Sequence, residues 1–209
     1  MNPGECLPGP DWYPVGYDPA ARIVSWLHLP GERFAEAFFE DTLRKHGKRA
    51  ERKSTSIAAL SEPMAGGCDP AAIFFHSSRC GSTLVMQLLG RVIGCRALSE
   101  PPVLDQFLQD PAVEDSQLRG LIHALGRSPE NGRTFLKTDS WHLPHLERLR
   151  RIFPETPCFF LYREPAAILR SHRRERGLQM VPGMLNPRIF GIDPATLNYA
   201  DLDGHAERV

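Results

Sequence analysis

Residues 71–90, AAIFFHSSRCGSTLVMQLLG, constrain the fold more than any other stretch, because a short apolar run breaks into small polar residues and restarts with helical spacing. Ala71 to Phe75 read as a buried strand, since a continuous apolar run bounded by turn formers suits a sheet covered on both faces. His76 to Gly81 make the turn. Ser82 is the predicted N-cap of a helix in which Leu84, Val85, Leu88 and Leu89 recur at helical intervals. Such a turn is an anion site: the first amides of a helix have no intrahelical acceptor and lie at the positive end of its macrodipole. Gly81 permits close approach, Ser77, Ser78, Ser82 and Thr83 offer hydroxyls, and Arg79 adds a fixed charge. Cys80 reads either as a small side chain that permits the tight turn or as a nucleophilic thiol with a lowered pKa, although no histidine is evidently placed to serve it.

The same alternation continues downstream. Cys95 to Leu98, Thr134 to Thr138 and Pro157 to Tyr162 read as strands. Helices are predicted over Val103 to Leu108, Asp115 to Leu125, Leu143 to Ile152 and from Pro165 to about Arg176. Strands alternating with helices predict an α/β fold, a three-layer α/β/α arrangement with a mostly parallel sheet, whose ligand sites lie at the carboxyl ends of the strands. His76 to Thr83, Lys137 to Asp139 and Arg163 to Pro165 share that location. Upstream, residues 1–20 read as an irregular arm held by Trp12, Tyr13 and Tyr17, and Ile23 to Leu29 as a short strand or helix. An amphipathic helix is predicted from Gly31 to Lys45. The basic run His46 to Lys53 reads as a solvated helix end or loop, with contact to an anion as the other reading. Ser54 to Pro70 reads as a linker. The expected division is an N-terminal irregular and helical extension over 1–66 and an α/β domain over 67–209.

With 209 residues the chain is long enough for a substantial core. Lysine plus arginine and aspartate plus glutamate number 25 each, so a broad electrostatic grip on nucleic acid or an anionic membrane is not expected. No apolar run reaches the roughly 18 residues of a spanning helix and the first residues lack a signal pattern, so a cytoplasmic location is expected. Five dispersed cysteines fit reduced thiols better than a disulfide framework or a zinc site.

Ser78-Arg79-Cys80-Gly81-Ser82-Thr83 lacks the lysine of the phosphate loop of nucleotide hydrolases and kinases. It resembles instead the phosphosulfate-binding loop of the sulfotransferases, with Ser in place of Pro and Cys in place of a small residue. A second element, Arg163 at a strand end, Pro165 at a helix start and Ser171 eight residues after the arginine, resembles the sulfotransferase element that holds a 3′-phosphate. The resemblance covers about Ala71 to Gly177 and implies a P-loop NTPase-like sulfotransferase fold. It further implies that 3′-phosphoadenosine 5′-phosphosulfate is co-substrate, with no metal, and that its sulfuryl group moves in line to a hydroxyl or amine of a small-molecule or peptide acceptor. Ser78, Arg79, Cys80, Gly81, Ser82 and Thr83 would hold the phosphosulfate, and Arg163 and Ser171 the 3′-phosphate. Lys137-Thr138 resembles the Lys-Thr that precedes the catalytic histidine of cytosolic members, where this chain has Asp139. Glu100, at a strand end like the glutamate base of tyrosylprotein members, is the expected base, with Asp139 and then His142 as alternatives. Members usually continue further past the 3′-phosphate element than this chain does, so the α/β domain is expected to be incomplete at its C-terminal end. A P-loop-type kinase and a non-catalytic nucleotide-binding or interaction domain are the alternative functions.

Overall fold

The computed structural model describes residues 7–127 and 132–209; Cys6 and the first residues of the N-terminal arm lie outside them. Strands β1 (Trp12–Asp18), β2 (Ile23–His28) and β3 (Arg52–Ser56) form an antiparallel sheet in that order. The arm is therefore a strand from Trp12 onward, not an irregular segment. Its apparent breakers explain the misreading: the β1–β2 register shifts between Pro14 and Gly16, and proline is tolerated on an edge strand beside a bulge. The basic run and linker likewise supply β3, whose Lys53 ammonium sits 4.3 Å from the centroid of the Trp12 ring. A short 3-10 turn, Ile57–Ser61, follows and buries Ile57 and Leu60.

Helix α1 spans only Phe39–His46, shorter than the predicted Gly31 to Lys45. Phe34 breaks the pattern at φ 51°, in the left-handed region that a bulky residue avoids without compensation. Packing supplies it. The Phe34 ring stacks on Phe39 at 5.0 Å, meets Tyr13 edge-on at 4.8 Å, and lies 5.5 Å from the Arg96 guanidinium.

The second sheet is four-stranded and all parallel, in the order β5 (Cys95–Ser99), β6 (Arg133–Lys137), β4 (Ala72–His76), β7 (Cys158–Leu161). All five residues of β4 are buried, as its unbroken apolar run requires. Helix α2 (Ser82–Gly90) covers one face, where Met86 packs on Ala72, Phe74 and Ala97. Helices α3 (Pro102–Gln109), α4 (Asp115–Gly126) and α5 (Leu146–Ile152) join Ile73, Phe75, Leu98 and Leu136 on the other side. The protein is thus α/β, with helices on both faces of a parallel sheet. β7 is an edge strand, followed by α6 (Pro165–Arg174) and, near the end, α7 (Leu202–Arg208). Among the described residues, no helix is long and apolar enough to cross a membrane.

The N-terminal sheet and the parallel sheet share one apolar core that runs from Trp12 and Trp26 through Phe107 to Leu136 and Ile152. Tyr17 on β1 sits 4.7 Å from the Phe107 ring of α3, and its hydroxyl donates to the Asp110 carboxylate at 2.8 Å. Gly120 is the tightest point of this junction, because a Cβ there would strike the Leu60 carbonyl oxygen and lie 2.8 Å from its carbon. A single calorimetric unfolding transition is expected. Gly120→Ala should lower the stability of the whole molecule by about 1–3 kcal/mol, as overpacking does. Two separate transitions, with only one moved by the substitution, would show that the two sheets are energetically independent.

Candidate functional site

The order β5-β6-β4-β7 means that the chain leaves β4 toward one side and, after β6, crosses to the other side for β7. Reversals of this kind open a crevice at the carboxyl ends of the strands. Here a cavity of about 360 Å³ is lined by Ser78, Arg79, Gly81, Ser82 and Thr83 of the loop, with Phe38, His76, Glu100 and Trp141 opposite. The loop enters α2 through Gly81 at φ 92°, so Gly81 occupies the cap position and Ser82 is the first helical residue, without a side-chain cap bond. The predicted Ser82 cap is corrected accordingly. A glycine suffices because the turn needs the left-handed region more than it needs a capping oxygen. Arg79 (φ 58°) and Glu100 (φ 53°) also lie in that region, and strained non-glycine residues of this kind gather at functional sites.

Three strand ends meet beneath the loop. The Lys137 side chain is fully buried; its ammonium lies 2.8 Å from Glu100 Oε1 and donates to Thr83 Oγ1 at 3.2 Å. His76 Nε2 approaches the same Glu100 oxygen at 3.2 Å and the Thr138 carbonyl at 3.0 Å, while Nδ1 lies 3.0 Å from the Ser77 carbonyl. Burial alone would lower the His76 pKa, but the Cys80 thiol, the Glu100 carboxylate and the Ser77 carbonyl outweigh it and raise the value to about 9. Glu100 answers in kind. Burial pushes its carboxyl up, and His76 and Lys137 pull it below the usual range. Cys80, whose burial would raise its pKa, is brought down by His76 and by the Ser82 amide. The loop thus contains a thiol paired with an imidazole, a partner the linear sequence does not display. Strand alternation carries the missed signal: Ala72, Phe74 and His76 share one face of β4, the face that α2 covers.

The second predicted element reaches the same loop. Arg163 donates from its guanidinium to the Arg79 carbonyl at 3.2 Å and from its backbone N–H to Ser77 Oγ at 3.3 Å. Arg79 in turn donates to the Glu175 carbonyl at 2.7 Å and pairs with the Glu175 carboxylate at 3.3 Å, beyond the end of α6. His172 accepts the Gly177 N–H at Nδ1 (3.1 Å), so its Nε2 carries the proton and donates to Ser78 Oγ at 3.0 Å. Burial, then Arg79, lowers the His172 pKa and favours that neutral tautomer. Ser171, its neighbour, does not line the cavity.

Asp139 does not line it either. It is buried, and its pKa is driven well above the usual value by that burial and by the charges of Glu100 and Asp105. Its backbone N–H donates to His142 Nδ1 at 3.1 Å, which leaves His142 Nε2 to donate to Asp105 at 2.7 Å. Ligand atoms of Asp105, Asp139 and His142 lie within 4.8 Å of one another, yet both ring nitrogens are already engaged, so a cation there would have to break these bonds.

A cluster of this kind makes stability depend on pH. His76 has a folded pKa above its ordinary value of 6.5, so the stability it contributes is complete below pH 6.5 and is lost as pH rises through about 9. The melting temperature of the wild type should fall relative to that of His76→Gln across this window, as read by thermal denaturation. Parallel profiles for the two proteins would contradict the assignment. In comparisons with known proteins, no family model, no curated protein and no solved structure matches this chain.

Proposed function

We propose that the protein is a sulfotransferase of P-loop-like fold that moves a sulfuryl group from 3′-phosphoadenosine 5′-phosphosulfate to a hydroxyl or amine. The observation that carries this reading is the meeting of two oxyanion elements: the guanidinium of Arg163 rests on the carbonyl of Arg79, in the same turn that Gly81 leads into α2. A donor with phosphates at both ends of its ribose needs two such grips within reach of each other. Arg79 and the Gly81 to Thr83 turn supply charge and donors to the cavity, cationic His76 faces them, and Arg163 braces the turn through the Arg79 carbonyl. Lys137 spans from Thr83 to Glu100, so one ammonium connects the anion cradle to the acceptor side.

The transfer is a direct displacement. The acceptor oxygen bonds to sulfur as the bond from sulfur to the bridging phosphate oxygen breaks, and the electron pair leaves with the nucleoside bisphosphate. Glu100, ionised because His76 and Lys137 hold its pKa down, receives the acceptor proton. The amides of the α2 first turn neutralise the charge that develops on the leaving oxygen, and the buried Lys137 ammonium adds its field from behind Thr83. Asp139 has the less suitable environment for a base, since burial keeps its proton on. A kinase reading draws no comparable support, because the loop places no lysine before Ser82.

Calorimetry with 3′-phosphoadenosine 5′-phosphate should show binding, and Arg79→Ala or Arg163→Ala should each weaken it by about ten- to a hundredfold, the loss of one charge-assisted contact. Binding of ATP in preference to the bisphosphate would favour a kinase. Glu100→Gln should keep nucleotide binding and lose transfer; near-normal transfer would reject Glu100 as base.

A further inference from the structure

We infer that His172 is a positioning residue for the anion loop: it occupies one lone pair of the Ser78 hydroxyl oxygen and so leaves the Ser78 O–H to donate to an oxyanion in the loop cavity. This rests on the reading of that cavity as the seat of a phosphosulfate.

The direction of the relay is set at its far end. The Gly177 N–H is a backbone amide that can only donate, here to His172 Nδ1 at 3.1 Å. A neutral imidazole that accepts at Nδ1 carries its proton on Nε2, and Nε2 therefore donates to Ser78 Oγ at 3.0 Å. A hydroxyl has one hydrogen and two lone pairs. One lone pair is taken by His172, and Ser78 Oγ makes no other hydrogen bond among the described residues, so its hydrogen is unspent. Ser78 lines the cavity together with Arg79, Gly81, Ser82 and Thr83, where that hydrogen meets a negatively charged oxygen.

The other states of the ring would defeat this. The opposite tautomer would take the Ser78 hydrogen at Nε2, turn the remaining lone pairs toward the anion, and set Nδ1–H against the Gly177 N–H. The imidazolium would create the same clash at Gly177. Burial, and after it Arg79 and Arg176, disfavour the cation and outweigh the backbone contact with Glu175 that supports it. Ser78 is also where the loop departs from the pattern it resembles by carrying Ser in place of Pro, so the oriented donor is a property of this chain.

A double-mutant cycle read by calorimetry tests the relay, with pyrophosphate and 3′-phosphoadenosine 5′-phosphate as separate probes on the full chain. Ser78→Ala and His172→Ala should each weaken both probes by about tenfold, the loss of one charge-assisted bond. The double variant should be no weaker than Ser78→Ala alone, because His172 acts only through that hydroxyl. His172→Gln, which keeps an N–H to offer Ser78, should recover most of the affinity. Unchanged binding by Ser78→Ala would overturn the inference, as would losses that add to about a hundredfold in the double variant, which mark His172 as a mere tether for the Gly177 segment. The Ser78→Ala measurement decides even where His172→Ala fails to fold. Coupled losses for pyrophosphate without binding of the bisphosphate would keep the relay and remove the sulfuryl donor; additive losses with the bisphosphate bound would keep the donor and remove the relay.

Discussion

A fully buried ammonium is the constraint around which the centre of this molecule is arranged. Lys137 ends β6 with no exposed surface, and taking such a charge out of water costs several kcal/mol unless partners surround it. Glu100 and Thr83 are those partners, one from the end of β5 and one from the first turn of α2. Neither can be lost cheaply. Removing the carboxylate would leave Lys137 and cationic His76 facing each other, so the backbone of Glu100 is held in the left-handed region with its N–H bonded to the Lys137 carbonyl at 2.9 Å. Strain at one residue is tolerated because three charges depend on where its side chain points.

That arrangement depends on register. β5 pairs with β6 so that Ser99 lies opposite Lys137, and Glu100 follows immediately beyond the last pair. A slip of one residue would move Glu100 out of reach of the buried ammonium and turn the apolar residues of β5 to the wrong faces. The apolar contacts that fix the register are Leu98 and Leu136 on one face and Ala97 with Phe135 on the other. Packing on both sides of the sheet therefore sets the position of the polar groups at its end, and the N-terminal sheet contributes by closing the core over α3 and α4.

The parallel sheet and its helices were legible because their signals are local: continuous apolar runs for β4 and β7, and periodic leucines for α4. The N-terminal sheet was not, since Pro14 and Gly16 look like breakers until a bulge absorbs them. The helix before Phe39 was overread because its periodicity is real, but Phe34 gains more by stacking on Phe39 and Tyr13 than by continuing a turn. At the site, Arg79, Gly81, Lys137, Glu100 and Arg163 could be named from the chain, and the structure brings them to one end of the sheet. Phe38, Trp141 and His172 could not, and His76 reads from the chain only as the start of the turn. The first three become site neighbours through contacts between residues distant in sequence, such as the bond from His172 to Ser78, whereas the alternation within β4 carries the signal for His76.

Charge distribution links the fold to its chemistry. Formal charges over the whole chain cancel, yet Arg79, Lys137, Arg163, Arg176 and protonated His76 gather around the loop against Glu100 and Glu175. The two carboxylates differ in kind. Glu175 is largely exposed, so its pair with Arg79 is worth little in water and yields readily to a multiply charged ligand. Glu100 is enclosed, and its pair with Lys137 is part of the core. An incoming polyanion can therefore displace the outer carboxylate without disturbing the inner one.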